Sequence, residues 1–422
     1  MTNRRYQPVW KRYINFILAL VLILIVPAVR VNAQEANKDK EFQAVWISYL
    51  EFLDRLKDPV TGKTGFTEER FHKVIDEMFD NVAKMNMNAV VVHVRPFGDA
   101  MYPSKYFPWS KYISGTQGKN PGFDPLKYMV SAAHKRGLAF HAWINPYRIT
   151  SDTTNVNTLS KDNIARKWLT NQSSKDDRNV LSYGGALYYN PSDIWVQQHI
   201  RDGIQEIVKN YDVDGIHFDD YFYPTLGTNY KKNFDYKEYE KYNSWCKENG
   251  VKAKSIADWR RNNVNRLVKK VYSDIKKIDK TVAFGISPGG FLDFLLLNDR
   301  YYTDIKTWLS EPGYIDYICP QLYWSFSSKE FPYDKTLDRW LALRTNPNVK
   351  MYVGLATYRV GTSLEMEWKD PNILKNMVEY GRKTGNVDGY VHFRYDFFYK
   401  KSTSKGVNSL LDLLMQQIVP QV

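Results

Sequence analysis

The sequence predicts a single (β/α)8 barrel, the α/β fold known as the TIM barrel, and three observations on the 422-residue chain support this. First, eight short apolar runs rich in β-branched and aromatic residues recur along the chain. Second, helical or polar stretches separate these runs, and strands that alternate with helices form parallel βαβ units. Third, the first run continues into Tyr49-Leu50-Glu51, without the glycine-rich phosphate loop that often follows the first strand of an open doubly wound sheet. Together these features favour a closed barrel.

The elements follow one another in a regular order. An amphipathic helix over about Glu68–Met85 precedes the second strand, and a long basic helix over about Ser255–Ile278 precedes the fifth. The polar stretches Thr150–Asn179 and Tyr223–Gly250 predict long loops after strands three and four, which would wall a cleft on the C-terminal face of the barrel. The predicted strands are Phe42–Ser48, Ala89–Arg95, Leu138–Ile144, Val213–Phe218, Thr281–Ser287, Ile315–Pro320, Val349–Ala356 and Asp388–Arg394.

The first 33 residues are typical of an export signal. Basic side chains within the first twelve residues precede the apolar run Ile14–Val29, and Val31-Asn32-Ala33 has the small-residue spacing of a cleavage site. We therefore expect residues 1–33 to contact the export machinery, residues 34–40 to form a linker, and residues 41–422 to form a secreted or periplasmic barrel domain. An uncleaved N-terminal membrane anchor is the alternative.

Composition narrows the class of partner. The formal net charge is +13, but the Lys and Arg residues are dispersed and form no basic block, so we expect no nucleic-acid partner. Cys246 and Cys319 are the two cysteines, which is neither a disulfide framework nor a zinc-ribbon spacing. We expect no cofactor, and the sequence leaves the oligomeric state open. The 31 Tyr and 12 Trp residues suit a polysaccharide partner, because the apolar face of a sugar ring stacks on an aromatic ring.

The fourth predicted strand delivers two adjacent carboxylates to the rim of the barrel. Side chains alternate between the interior and the helix layer, so if Ile216 and Phe218 face the helices, His217 and Asp219 face inward. Asp220 then lies just past the strand end. Two carboxylates this close cannot both ionise easily, so one should have a raised pKa and act as a general acid. Glycoside hydrolysis needs such an acid. The structural alternative is that the pair caps the next helix or binds nearby arginines.

Polar and aromatic residues cluster where each of the other apolar runs stops, which favours a sugar site built from many strand ends. Three of them are arginines that could each bind a carboxylate on the substrate. The candidate substrate-binding residues are Trp46, Arg95, Asp99, Trp143, Asn145, Tyr147, Arg148, His217, Tyr221, Ser287, Gln321, Trp324, Tyr358 and Arg394.

Two rival functions remain open. His93, His141, His217 and His392 lie on predicted strands, which allows a metal-dependent polysaccharide deacetylase. Against it, the chain has no H-x-H or H-E-x-x-H motif, and we expect no metal. The second rival is a glycan-binding barrel without catalysis, which would not need the paired aspartates.

Five ordered motifs resemble the glycosyl-hydrolase-like 10 family. They are FQAVWI at 42–47, VHVRP at 92–96, AWINPYR at 142–148, DGIHFDDY at 214–221 and PQLYW at 320–324. The resemblance spans roughly Glu41 to Tyr399. It implies a bacterial envelope protein with a (β/α)8 fold, associated with cleavage of peptidoglycan glycan strands that have lost their stem peptides.

A weaker resemblance concerns the mechanism. The segment 214–221 is similar to the strand-four motif of family-18 chitinases, which have an Asp where Asp219 lies but a glutamic acid where Tyr221 lies. Adjacent Asp pairs serve in other N-acetylhexosaminidases. The resemblance implies substrate-assisted retaining hydrolysis, in which Asp219 orients the acetamido group and Asp220 is the acid and base. Tyr323 resembles the tyrosine that holds the acetamido oxygen.

The remaining roles follow from the same hypothesis. His217, Asn145 and Arg95 would bind hydroxyl groups, and Trp46, Trp143 and Trp324 would stack on sugar rings. The alternative is a two-carboxylate mechanism in which the partner acid comes from another strand end, such as Asp99 or Asp396.

Overall fold

Eight parallel strands close into a barrel in the computed structural model, which describes residues 40–297 and 301–416. The predicted fold is therefore confirmed. The first and last strands pair in register, with Phe42 opposite Gly389. In chain order the barrel strands are β1 Phe42–Ile47, β2 Ala89–Arg95, β3 Ala139–Ile144, β6 Gly215–Phe218, β7 Ala283–Ile286, β8 Tyr317–Ile318, β9 Lys350–Leu355 and β10 Gly389–His392, and an antiparallel hairpin of β4 Val180–Tyr183 and β5 Ala186–Tyr189 lies between β3 and β6. The export signal and residues 34–39 of the linker lie outside the described residues.

Helices surround the barrel and connect its strands. Most begin at a side chain that accepts a backbone N–H; Asp193, for example, accepts from Trp195 and Val196. Within the described ranges, no helix has the length and apolar character needed to cross a bilayer. The helices are α1 Tyr49–Leu56, α2 Glu68–Lys84, α3 Lys111–Ser114, α4 Pro125–His134, α5 Ile164–Thr170, α6 Ile194–Asn210, α7 Tyr236–Glu248, α8 Ile256–Ile278, α9 Leu292–Leu296, α10 Ile305–Ser310, α11 Tyr333–Leu343, α12 Ile373–Lys383 and α13 Ser404–Met415.

The core divides into two layers, as the alternation along the strands predicts. Ile216 and Phe218 pack in the large outer layer between strands and helices. Trp46, Trp143 and Tyr317 pack in a smaller cluster inside the barrel. The predicted parity of β6 is therefore confirmed, and the inward side chains of β1, β3 and β6 lie beneath the C-terminal mouth.

One irregularity changes the direction of a predicted site residue. The register of β2 against β3 shifts between His93 and Arg95, so that His93 lies opposite Trp143 and Arg95 lies opposite Ile144. Ile144 belongs to the outer layer. An extra residue at such a β-bulge turns the following side chain to the other face of the sheet, and Arg95 therefore faces the helices.

The two predicted long loops are present. The chain after β3 runs through α5 and the β4–β5 hairpin before α6 begins, and the chain after β6 runs through α7 before α8 begins. Both connections leave the C-terminal ends of their strands, where barrel sites are built.

Candidate active site

A cavity of about 230 Å³ opens at the C-terminal mouth of the barrel. Inward side chains of β1, β2, β3 and β6 form its floor, and the loops after β3, β7 and β8 supply its sides. Eleven of the seventeen predicted site residues line it: Trp46, Trp143, Asn145, Arg148, His217, Asp219, Asp220, Tyr221, Ser287, Gln321 and Tyr323.

Asp219 is surrounded by hydrogen-bond donors. Its Oδ2 accepts from the indole N–H of Trp143 at 3.0 Å and from the amide of Asn145 at 3.3 Å, and its Oδ1 accepts from the backbone N–H of Tyr221 at 3.2 Å. The side chain is buried, and burial raises its pKa to about 6 against the opposing effect of these donors. Because every one of these partners donates, the site favours Asp219 as an anion with a fixed orientation.

Asp220 has a different environment. Burial and, to a lesser extent, the neighbouring charge of Asp219 raise its pKa to about 7, against the opposing effects of a hydrogen bond with Gln321 and the charge of Arg148. The two carboxyl groups titrate as a coupled pair. Near neutral pH the pair holds one proton on average, and the donors around Asp219 place that proton on Asp220.

A chain of hydrogen bonds below the pair fixes the protonation of the barrel histidines. Trp46 can only donate, so its indole N–H at 3.2 Å makes Nε2 of His217 an acceptor. His217 then donates from Nδ1 to the hydroxyl of Tyr317 at 2.9 Å, and Tyr317 donates to Nδ1 of His141 at 2.9 Å. Burial lowers the pKa of both histidines, so both rings are neutral. His217 thus supports the cavity floor and presents no free nitrogen.

The tryptophans of the floor are more deeply placed than stacking platforms would be. Trp46 and Trp143 are 2% and 7% exposed. One face of Trp143 is covered by His93, with ring centroids 3.3 Å apart, and its N–H is committed to Asp219. The indole of Trp143 therefore orients Asp219 as well as forming the floor.

Gln321 and Tyr323 approach the pair from the loop after β8. Gln321 is held by a 3.1 Å hydrogen bond from its amide to the carbonyl of Ser287. The ring of Tyr323 packs edge-on against Tyr358, and burial raises its pKa well above the ordinary value. Its hydroxyl is therefore neutral and able to donate a hydrogen bond into the cavity. Tyr358 lies behind Tyr323, outside the lining.

Three predicted residues, Arg95, Asp99 and Tyr147, lie outside the cavity lining. The guanidinium of Arg95 is buried 4.2 Å from the ring of Phe107, as the β2 bulge dictates. Asp99 is buried and accepts from Gln117 at 3.0 Å. Tyr147 is fully buried in the outer core. Asp99 is thus not placed to act as the second carboxylate of a two-acid mechanism.

Arg394 belongs to a buried ionic cluster at the ends of β1 and β10. Its guanidinium binds Glu51 and lies 3.3 Å from Asp396, and Asp396 also pairs with Arg55 at 2.8 Å. Glu51 is fully buried and also accepts from Ser48. These mutual contacts occupy both Arg394 and Asp396, which lie outside the cavity lining. Trp324 lies outside it too, packed on Phe331 with ring centroids 4.7 Å apart.

The cavity also contains residues that sequence reasoning did not select, above all His93. Its Nδ1 accepts from the backbone N–H of Tyr49 at 3.3 Å, so the proton lies on Nε2, which is 3.9 Å from Oδ2 of Asp219. The inward parity of β2 could have identified it. Tyr49 and Phe393 line the cavity as well, and no sequence pattern marked them.

No metal-ligand set is apparent in the described portion of the chain. Within residues 40–297 and 301–416, no three His, Cys, Asp or Glu side chains are grouped so as to hold a metal ion. The nitrogens of His217 are both used in hydrogen bonds. The two carboxyl groups of Asp219 and Asp220 can supply acid and base chemistry at this site.

Comparison with known families and proteins finds relatives described as glycosyl hydrolases. The model of a family described as Glycosyl hydrolase-like 10 matches residues 41–370. The chain is 38% identical over 401 residues to glycosyl hydrolase YngK of Bacillus subtilis (strain 168), which covers 91% of this chain and 73% of that protein. It is 32% identical over 404 residues to glycosyl hydrolase DigH of Escherichia coli (strain K12), which covers 90% of this chain and 88% of that protein.

Solved structures with a similar barrel include glycoside hydrolases. The PgaB (BpsB) glycoside hydrolase domain from Bordetella bronchiseptica superposes with a TM-score of 0.57 at 12% identity, covering 88% of this chain and 99% of that one. An endo-1,4-beta-mannanase from Rhizomucor miehei gives a TM-score of 0.53 at 12% identity, covering 89% and 95%. At such identities the likeness shows the fold alone.

Proposed function

Because the chain belongs to the glycosyl hydrolase-like 10 family, we propose that it cleaves glycosidic bonds in an N-acetylhexosamine polysaccharide, namely peptidoglycan glycan strands that have lost their stem peptides. The observation that carries the proposal is the unequal pair at the cavity mouth. Asp219 is held as an anion by three donors, and Asp220 retains a proton near neutral pH. Two carboxyl groups in these two states are what substrate-assisted glycoside hydrolysis requires.

The proposed first step breaks the glycosidic bond. Asp220 gives its proton to the leaving oxygen while the acetamido oxygen of the substrate attacks the anomeric carbon. The anion of Asp219 orients the acetamido N–H and stabilises the positive charge that develops there. Tyr323 donates a hydrogen bond from its hydroxyl to the acetamido oxygen and holds that oxygen beneath the ring.

In the second step the Asp220 carboxylate takes a proton from water, and the resulting hydroxide attacks the anomeric carbon. The bond from the acetamido oxygen to that carbon breaks, the acetamido group is restored, and the anomeric configuration is retained. Asn145 and Gln321 lie beside the acid pair as hydrogen-bond partners, where they can also contact sugar hydroxyls.

The location that fits this function is outside the cytoplasm. The basic start, apolar run and cleavage motif within residues 1–33 support export through the secretory machinery, which would bring the barrel to the periplasm or the cell exterior. A glycan of the cell wall is reached there.

We expect the purified protein to release reducing ends from glycan strands stripped of their stem peptides, and to act far more slowly on strands that carry them. The products should retain the anomeric configuration. Strands whose acetamido groups have been removed should be cleaved at least about 10²-fold more slowly, because the nucleophile is then missing. Equal cleavage of acetylated and deacetylated strands would rule out the assisted mechanism, and binding without any release of reducing ends would favour a non-catalytic glycan-binding barrel.

The pH profile of kcat/KM should be bell-shaped, with a maximum between about pH 6 and pH 7. The pKa of Asp219 is raised to about 6 and that of Asp220 to about 7, both chiefly by burial. Activity should fall on the acid side as Asp219 gains a proton, and on the alkaline side as Asp220 loses its own. A profile that keeps rising through alkaline pH would exclude Asp220 as the acid.

A further inference from the structure

We propose that Arg148 binds a carboxylate on the substrate, so that the cavity selects an acidic sugar beside the bond that is cleaved. This inference rests on the proposed function and names the chemical group that the same site recognises. The sequence does not distinguish the three arginines at strand ends, Arg95, Arg148 and Arg394. The fold gives each of them different surroundings.

Arg148 lines the cavity and is only partly buried. Its guanidinium carbon lies 4.8 Å from the ring centre of Phe97 and 4.3 Å from that of Tyr221. Its backbone N–H donates to Asn145 at 3.0 Å, and Asn145 also binds Asp219. These contacts hold the side chain at a defined place next to the acid pair, yet neither Phe97 nor Tyr221 accepts a hydrogen bond from its N–H groups.

The guanidinium of Arg148 therefore lacks a counter-ion in direct contact. Among the residues that the structure describes, no carboxylate oxygen lies within 4.0 Å of its nitrogens, and no oxygen accepts a hydrogen bond from its side chain. Arg394, by contrast, is bound to Glu51 and Asp396. Arg95 is buried in the helix layer against Phe107. Of the three arginines, Arg148 has both access to the substrate and unused donors.

The chemistry of an immobilised guanidinium matches a carboxylate. Its planar fork donates two parallel N–H bonds to the two oxygens, which gives geometric as well as electrostatic selection. The other basic groups of the cavity lining, His93 and His217, are kept neutral by burial, which lowers the pKa of each. Arg148 is thus the fixed positive charge in the lining that the structure describes.

The proposed substrate carries a free carboxylate only after its stem peptide has been removed. The lactyl group of a muramic acid residue is joined to the stem peptide through an amide in intact strands and is a free anion once the peptide has been removed. A guanidinium that requires the anion would reject the amide, both for the lost charge and for the bulk of the peptide. Recognition at Arg148 would thereby explain a preference for stripped strands.

The test compares two forms of the same glycan. Stripped strands with free carboxylates and the same strands converted to primary carboxamides are assayed with wild type, Arg148→Gln and Arg148→Lys. We expect wild type to have a KM about 10- to 100-fold lower for the acid form. Arg148→Gln should lose this preference by raising KM for the acid alone, and Arg148→Lys should keep part of it. Arg339→Gln, which makes the same change at an exposed ion pair with Asp293, is the control.

The remaining outcomes either overturn the inference or separate it from the proposed function. An equal loss on both substrates, with the pH profile shifted to higher pH, would show that Arg148 acts only through the charges of Asp219 and Asp220. If wild type cleaves neither form, the proposed function fails. Binding of the acid and amide oligomers is then measured by itself, through the quenching of tryptophan fluorescence. A preference for the acid that Arg148→Gln removes would sustain the role of Arg148, whereas equal binding of both forms would refute it.

Discussion

Asp220→Asn is expected to lower the rate of strand cleavage by about 10²- to 10⁴-fold, the usual contribution of a general acid and base. A carboxamide cannot protonate the glycosidic oxygen or accept a proton from water. Because the loss is in the chemical step, kcat should fall while KM changes little. The measurement is steady-state release of reducing ends from stripped glycan strands.

Asp219→Asn should cause a loss of similar size for a different reason. The amide keeps the shape of the carboxylate and can still accept from Trp143 and Asn145, but it cannot stabilise a positive charge on the acetamido group. Its NH₂ would also face the backbone N–H of Tyr221, which now donates to Asp219. A leaving group of low pKa, such as a nitrophenol, should rescue Asp220→Asn in the first step and leave Asp219→Asn slow.

Both variants should remain folded, and Asp220→Asn should be at least as stable as wild type at neutral pH. In wild type, the pKa of Asp220 is raised from its ordinary value of 3.8 to about 7 in the folded state. As pH rises through this interval, the unfolded chain loses the proton first, so the stability of the folded state falls. Asparagine has no proton to lose, so Asp220→Asn should not show this fall in stability. Asp162→Asn, at a carboxylate whose side chain is 80% exposed, is the matched control and should change neither activity nor stability. Unfolding of Asp220→Asn at lower denaturant than wild type would contradict this account.

The parts of the site that the sequence predicts best are those fixed by local periodicity. Alternation along β6 puts His217 and Asp219 on the inner side of the barrel, because Ile216 and Phe218 must pack against the helices. Both residues lie at the C-terminal end of β6, and the barrel brings the C-terminal ends of its strands together whatever the intervening loops do. The strand-end residues of β1, β3 and β6 therefore reach the cavity as expected.

Other positions depend on events that a periodic pattern does not contain. A single extra residue in β2 turns Arg95 outward, although His93, two positions earlier, faces the cavity. Arg394 lies close to the C-terminal end of the last barrel strand, as predicted, but its partner Glu51 on α1 is 343 positions away in the sequence. The partner of a charged side chain depends on tertiary packing, so sequence alone could not separate Arg148 from the other two arginines.

The largest stability effect is expected from Arg260→Met, which should lower the free energy of unfolding by about 3–5 kcal/mol. Arg260 on α8 and Asp235 in the loop after β6 are both fully buried and lie 2.7 Å apart. The pair is completed by hydrogen bonds from Arg260 to Tyr302 at 2.9 Å and from Tyr223 to Asp235 at 2.8 Å. Without the guanidinium, Asp235 is left as a buried carboxyl whose compensating charge is gone.

The adjacent residue provides a matched control. Arg261 pairs with Asp258 at 2.6 Å, but the side chain of Asp258 is 49% exposed, so Arg261→Met should cost no more than about 1 kcal/mol in denaturant unfolding. The double variant Asp235→Leu/Arg260→Met should recover much of the loss, because it removes the stranded carboxyl along with its partner. Tyr223, which donates to Asp235, lies three residues beyond Asp220, so Arg260→Met should also weaken strand cleavage. The double variant should restore cleavage less fully than it restores stability. Equal losses from Arg260→Met and Arg261→Met would mean that the buried pair does not hold this loop in place.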